Sequence, residues 1–225
     1  MNRTGKVLTM AAAIFAGLGN SAAHAEGFKI GADVVSSYVW RGTEIGNSPA
    51  IQPNLSYTFP GTGIVVGFWG SYAIESHGGE RYKEIDTYVT LPVGPVSFTV
   101  TNYYLPNAGD TFDFDEYGPN TVELSLAYSD DTFSLMGGVF KAGNDYDNAK
   151  YCEASVKFYD KDGFTAKAIV GAGDEDYYGD MAGIETSDTI ALVNTGISVS
   201  KDRYTASFIY NPDTEQSNLV FMASF

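Results

Sequence analysis

Ala50-Ile51-Gln52-Pro53-Asn54-Leu55-Ser56-Tyr57-Thr58-Phe59 alternates apolar and polar side chains from Ile51 onward. Its apolar members Ile51, Pro53, Leu55, Tyr57 and Phe59 occupy every second position, with Gln52, Asn54, Ser56 and Thr58 between them. Successive side chains of a strand point to opposite faces, so this is a two-faced β-strand. The same alternation sets Phe28, Ile30, Ala32, Val34, Tyr38 and Trp40 against Lys29, Asp33, Ser37 and Arg41. It returns in Val96, Phe98 and Val100 and in Val122, Leu124, Leu126 and Tyr128. After the first 25 residues nothing reaches the ~18 consecutive apolar residues of a membrane helix, and nothing holds a helical stripe over several turns.

In all, twelve segments fit a strand: 28–41, 50–59, 64–74, 85–91, 96–105, 120–128, 133–141, 151–159, 164–172, 188–199, 204–210 and 218–225. Their connections alternate. Residues 60–63, 92–95, 129–132, 160–163 and 200–203 are tight, with Pro-Gly, Gly-Pro, Asp-Asp and Asp-Lys-Asp-Gly suited to sharp reversals, while 42–49, 75–84, 106–119, 142–150, 173–187 and 211–217 are long. An even number of strands of this length, joined by short turns on one side and long loops on the other, is the pattern of an outer-membrane barrel. Closing the sheet removes the edges that lipid would not tolerate.

Aromatic residues fit the same register. Phe28, Tyr57, Phe59, Tyr128, Phe133, Phe158, Phe164, Tyr204 and Phe225 lie beside the short turns or the termini, and Tyr38, Trp40, Tyr72, Tyr104 and Tyr210 lie toward the long loops. Two girdles of this kind mark the two interfaces of a bilayer. The expectation is therefore an all-β chain, a transmembrane antiparallel up-and-down β-barrel of about twelve strands with short periplasmic turns and long acidic outer loops.

The ends of the chain agree with export. Arg3 and Lys6 precede an apolar run from Val7 to Gly19, and Ala23-His24-Ala25 has the small-x-small form of a cleavage site, so residues 1–25 read as a secretory signal and 26–225 as the barrel. At the other end Leu219, Phe221, Ala223 and Phe225 share one face. A terminal phenylalanine of this kind is the expected handle for the barrel-insertion machinery, with outer-membrane lipid and lipopolysaccharide as the surrounding partners.

Charge excludes one class of partner. The 225 residues carry 13 basic and 28 acidic side chains, a formal charge of −15, which is the wrong sign for meeting nucleic-acid phosphate. The six long loops alone hold 17 acidic and three basic residues, so the mouth should concentrate cations and repel anions. No cofactor is expected. The lone cysteine, Cys152, reads as a small apolar strand residue, and no Cys/His pattern offers a zinc site.

Ser36-Ser37-Tyr38-Val39-Trp40-Arg41-Gly42, followed by Ala50-Ile51-Gln52-Pro53, opens a series of motifs. Gly67-Phe68-Trp69-Gly70-Ser71, Glu84-Ile85-Asp86-Thr87-Tyr88, Tyr103-Tyr104-Leu105-Pro106 and Val122-Glu123-Leu124-Ser125 come after it in order. These stretches resemble a family of bacterial outer-membrane porins labelled TorF-type, most clearly over residues 30–128. The resemblance implies an outer-membrane barrel with a porin-like role.

Candidate functional residues follow from the register. Lys29, Asp33, Arg41, Asp86, Glu123, Glu153, Lys157 and Lys167 face inward, with Glu84 at the outer end, because a lipid-facing charge would cost ~2–4 kcal/mol at mid-bilayer. They either line an aqueous path and set ion preference, or fill a narrow barrel as a salt-bridge network in which Arg41 meets Glu84, Asp86 or Glu123. Glu75, Glu84 and Asp86 are the expected partners of Arg41 at the outer end of the lumen. The pairs Asp113 and Asp115, Asp145 and Asp147, and Asp174 and Asp176 each present two carboxylates to a hard cation such as Ca²⁺, although none completes a calcium loop.

Tyr177-Tyr178 and the group Phe112, Phe114 and Tyr117 suit either contacts with partners or an inward fold that narrows the pore. An enzyme is not expected: His77 is the only histidine after the leader, and Ser76 and Glu75 beside it do not amount to a triad. The reading is a passive channel for small solutes or ions that favours cations, against the alternative of a closed structural or adhesive barrel.

Overall fold

A computed structural model of the chain describes residues 27–46, 48–76, 79–144, 148–179 and 189–225. The expected signal segment, His77, Asp145 and Asp147 lie outside them. The strands are β1 (Gly27–Val35), β2 (Tyr38–Trp40), β3 (Thr43–Ile45), β4 (Ala50–Thr58), β5 (Val65–Ala73), β6 (Lys83–Val93), β7 (Val96–Tyr104), β8 (Asn120–Ser129), β9 (Phe133–Gly143), β10 (Lys150–Lys161), β11 (Phe164–Asp174), β12 (Ile190–Lys201), β13 (Tyr204–Asn211) and β14 (Gln216–Ser224). One short helix, α1 (Glu175–Tyr178), follows β11.

Twelve of these strands, β1 and β4 to β14, close into a single antiparallel barrel in which each pairs with its sequence neighbours and β14 returns to β1. The two-residue period decides which side chains fill the barrel. On β4 Ala50, Gln52, Ser56 and Thr58 are buried while Ile51, Pro53 and Leu55 face out, as the sequence pattern requires. On β1 Phe28 and Ile30 are each 80% exposed and Asp33 only 2%, so the apolar face is the outer one. Cys152 also lies on the outer face, exposed.

The turn end of the barrel is shaped by local chemistry. Asp162 and Gly163 have φ of 55° and 78°, both left-handed, which suits a two-residue hairpin whose twist matches its strands. Just inside the turns, cross-strand hydroxyl pairs span neighbouring strands: Thr90 with Thr99 at 2.9 Å, Ser134 with Ser155 at 2.6 Å and Ser200 with Thr205 at 2.9 Å. Hydroxyls therefore form part of the lumen lining at this end.

The turn between β8 and β9 shows how one side chain sets a reversal. Asp130 Oδ1 accepts from the backbone N–H groups of Phe133 and Thr132, both at 2.8 Å, and Oδ2 accepts from the Tyr128 hydroxyl at 3.0 Å. Those bonds favour the carboxylate and hold the Asp130 acid below the usual aspartate range, the Phe133 and Thr132 amides being the largest causes. A group whose acid is strengthened by folding contributes stability above its unfolded pKa and loses it as pH falls through the folded value. An NMR titration of the Asp130 carboxyl should have a midpoint below that of an ordinary aspartate, and Phe133→Pro, which removes one donor, should raise it. A midpoint at the ordinary value would contradict this account of the turn.

The expected first strand, 28–41, is the main correction. β1 stops at Val35, Ser36-Ser37 bend, and Tyr38–Trp40 pairs instead with Thr43–Ile45 in a separate two-stranded sheet. Tyr38 and Trp40 consequently leave the outer girdle where alternation placed them. Tyr38 is 3% exposed and packs with Val35, Ala50 and Trp69 inside the barrel. The physical reason is a gain in contact: bent inward, the two rings join clusters of other aromatics.

Candidate functional site

The β2–β3 hairpin is built to fit a confined space. Its two turn residues, Arg41 and Gly42, have φ of 50° and 88°, the conformation of a tight hairpin that β-branched or bulky residues resist. A Cβ on Gly42 would sit 1.9 Å from the carbonyl oxygen of Val193 on β12. The hairpin tip thus rests directly on the inner wall, and only glycine allows that approach.

Aromatic side chains pack around it. Trp40 meets Tyr103 at 5.8 Å between ring centroids, Tyr177 at 6.3 Å and Tyr178 at 5.6 Å. Phe140, Tyr151, Tyr178 and Val193 form one buried cluster and Val35, Tyr38, Ala50 and Trp69 a second, with Trp40 touching both. Helix α1 supplies Tyr177 and Tyr178 from the long connection after β11. Tyr178 is 2% exposed, so this tyrosine pair folds inward, whereas Phe112 and Tyr117 stand 87% exposed on the loops. Small residues on the wall make room, since a Cβ on Gly173 would lie 2.4 Å from the Tyr178 ring.

Arg41 is the centre of the plug. Its Nη1 lies 2.7 Å from Glu123 Oε2 and its Nη2 donates to Glu123 Oε1 at 2.9 Å, a two-pronged pair with both side chains buried. Nη1 also donates to the Tyr178 hydroxyl at 2.7 Å. The guanidinium carbon stands 4.5 Å from the centre of the Trp40 ring and 4.4 Å from that of Tyr151. Burial pushes the Tyr178 phenol up to about 12, with Arg41 opposing the shift, so the group is a neutral acceptor. Burial likewise pushes the Tyr82 phenol up, and its hydroxyl donates to Glu84 Oε2 at 2.8 Å.

Of the partners that a salt-bridge network offered Arg41, Glu123 is the one it meets, while the expected meeting with Glu75, Glu84 and Asp86 is corrected. Glu123 holds it; Glu84 accepts from Tyr82, and Glu75 is exposed. Arg41 reaches the lumen as expected, but from a hairpin turn and not from a strand. The other inward charges divide by height. Glu84, Asp86, Glu123 and Glu153 are buried in the loop-side half of their strands. Lys29 is exposed near the N-terminal end of β1. Lys157 and Lys167 face each other across β10 and β11 on the turn side, and Lys157 Nζ donates to Asp160 at 2.9 Å.

Neutral donors satisfy some of these carboxylates. Glu153 Oε2 accepts from the Tyr151 hydroxyl at 2.7 Å and from Asn194 Nδ2 at 3.0 Å. Asp86 is 2% exposed, yet its Oδ1 meets no donor among the described residues. Asp33, also 2% exposed, pairs in register with Gln52 and Ser224.

The loop carboxylates serve local structure. Asp113 Oδ1 accepts from the Asp115 N–H at 2.9 Å, and Asp174 Oδ2 accepts from the Lys150 N–H at 2.6 Å. Asp176 lies in α1, two residues from Asp174. Among the described residues no three Asp, Glu, His or Cys side chains gather as a metal site.

Trp69, Tyr103, Phe140, Tyr151 and Asn194 are site residues that alternation alone did not single out. A signal was available for two of them, Tyr151 and Asn194: a Cβ on Gly171 would lie 2.2 Å from the Tyr151 hydroxyl and 3.2 Å from Asn194 Cβ.

No curated protein matches the chain. A family model described as a bacterial protein of unknown function (Gcw_chp) matches residues 20–210, most of its length. The chain, a twelve-stranded barrel with an aromatic plug held by Arg41 and Glu123, belongs to that family.

Proposed function

We propose that the protein is an outer-membrane channel, porin-like as its resemblance to the TorF-type family implies, through which small cations and small neutral solutes diffuse passively. The observation that carries this reading is the charge balance of the loop-side lumen. Among the described residues Glu84, Asp86, Glu123 and Glu153 are buried there with a single buried cation, Arg41. A barrel interior serving only as filler gains from apolar side chains, because a buried polar atom without a partner, such as Asp86 Oδ1, is costly. Carboxylates beside a path for water and cations are compensated by what passes.

The setting in a membrane is supported by the outer wall. Each Phe, Leu or Ile left facing water forgoes ~1.5–3 kcal/mol of burial, and outward residues such as Phe28, Ile30, Phe68, Leu126, Phe208 and Leu219 are half or more exposed. In lipid that cost disappears. The chain enters the membrane in this reading through the insertion machinery, which takes Phe225 as its handle, and lipopolysaccharide surrounds the acidic loops.

A second reading, a closed structural barrel, is favoured by the plug itself, since Trp40, Tyr103, Phe140, Tyr177 and Tyr178 occupy the loop-side lumen. Planar-bilayer recording of the purified protein separates the two. The channel reading expects discrete conductance steps, and a reversal potential of cation-selective sign at two salt concentrations. Complete absence of steps, in the wild type and in variants that disturb the plug, leaves the structural barrel.

A further inference from the structure

The ladder between β1 and β14 is the shortest in the wall. It pairs Asp33–Val35 with Met222–Ser224, and backbone bonds of Ala32 with Phe225 and of Ser36 with Phe221 extend it by one residue at either end. Above that point Gln216–Val220 pairs with β13 on one side. On the other side these residues make no backbone hydrogen bond among the described residues. The buried Asn218 Nδ2 also meets no acceptor there. A vacant strand edge inside a barrel wall is costly, because lipid offers no partners for it.

The chain that would fill this edge is the plug. Continuing the register of Asp33 with Ser224 sets Tyr38 opposite Leu219, Val39 opposite Asn218 and Trp40 opposite Ser217. The neighbouring ladders agree. β1 and β4 pair up to Val35 with Ala50, and the β2–β3 ladder resumes at Tyr38 with Ile45, only two residues out of step with a straight continuation. The plug is thus the tip of the β1–β4 hairpin, bent at Ser36-Ser37 on one arm and at Gly46, with φ of 76°, and Ser48 on the other.

The sequence is patterned for the straight form as well. Extended, Tyr38 and Trp40 face outward with Phe28, Ile30 and Val34, at the height of an interfacial aromatic girdle. Bent, the same rings fill the lumen and Arg41 locks onto Glu123. Two packings of one segment, each satisfying what the other leaves open, make a bistable element.

We propose that the β2–β3 hairpin is a two-position gate: bent inward it stoppers the lumen, and straightened along Gln216–Val220 it clears the lumen and completes the β1–β14 seam. The Arg41 and Glu123 pair is its latch. The movement stands on the geometry alone, while its role as a gate rests on the channel reading.

The chain has two tryptophans, so Trp69→Phe leaves Trp40 as the sole emitter. In vesicles of brominated phospholipid, Trp40 fluorescence should be weakly quenched in W69F, and the quenching should at least double in W69F/E123Q and W69F/R41Q, with conductance rising in parallel. Unchanged quenching in both variants, in protein whose heat-modifiable gel mobility reports a folded barrel, overturns the gate. Increased quenching with no conductance keeps the movement and removes the channel reading. Raised conductance without increased quenching assigns the opening to another element and also overturns the gate. A test that leaves the latch intact uses Cys152→Ser with Val39→Cys and Asn218→Cys, which oxidant should trap as a disulfide in the straight register. Failure of that cross-link to form in the folded barrel overturns the proposal.

Discussion

Replacing Arg41 with methionine should weaken the seated plug by ~3–5 kcal/mol, because Glu123 is then left as a buried carboxylate with no counter-cation. The size of the effect follows from the geometry of the pair. Both guanidinium nitrogens engage the carboxylate, Nη1 also serves the Tyr178 hydroxyl, and the remaining face is covered by Trp40 and Tyr151. Removing the partner from either side leaves a charge that water reaches poorly. The double variant R41M/E123L should recover most of the loss, since two apolar side chains of similar bulk replace a pair that itself carried a large desolvation cost. Hydrogen exchange of the Tyr38 and Trp40 amides measures the free energy of opening that hairpin separately from that of the whole barrel. Equal protection in the wild type and R41M would show that aromatic packing alone holds the plug.

The second large effect concerns selectivity. Neutralising the lumen carboxylates as Glu84→Gln with Asp86→Asn should lower the cation-to-anion permeability ratio roughly tenfold, the scale on which a charged, low-dielectric passage concentrates counter-ions. These two are chosen because neither is committed to Arg41. Glu84 is bonded by the neutral Tyr82 hydroxyl and Asp86 keeps an oxygen without a donor. Reversal potentials under a salt gradient give the ratio directly. The same change at Glu75, which is exposed on a loop, should move it little in high salt, where the screening length falls to ~3 Å. An unchanged ratio in the Glu84/Asp86 variant would place the path away from β6.

The wall of the barrel was legible because period-two alternation is a property of each strand by itself. Gln52, Ser56 and Thr58 had to face inward once Ile51 and Leu55 faced out, and pairing with β1 and β5 did not alter that. The turn-side reversals were legible for a similar reason: Asp162-Gly163 carries its left-handed geometry in its own residue types. Local irregularities were not. The bulges between Val122 and Glu123, between Lys157 and Tyr159 and between Gly171 and Ala172 depend on what each strand meets across the ladder.

The plug was hidden for a different reason. Alternation continues through Tyr38 and Trp40 as though the first strand ran on to Arg41, and no residue between Val35 and Tyr38 forbids that conformation. What bends the chain inward is distant in sequence: Glu123, Tyr151 and Tyr178 around the guanidinium, and the Val193 carbonyl under Gly42. One hint was present in Arg41-Gly42, a pair able to make a two-residue turn, standing where a strand was expected to end. The inward tyrosine pair Tyr177-Tyr178 was likewise an open alternative that only the opposing Gly173 resolves.

The proposed setting, a barrel that crosses the outer membrane with its long loops outside, can be checked by labelling intact cells. A small tag inserted at Asp110, in the loop between β7 and β8, should be reached by antibody on whole cells. A tag at Asp162, in the tight turn between β10 and β11, should be hidden until the outer membrane is broken. Surface exposure at Asp162 with protection at Asp110 would invert the barrel, and protection of both before lysis, with exposure of both after it, would contradict a membrane-spanning orientation altogether.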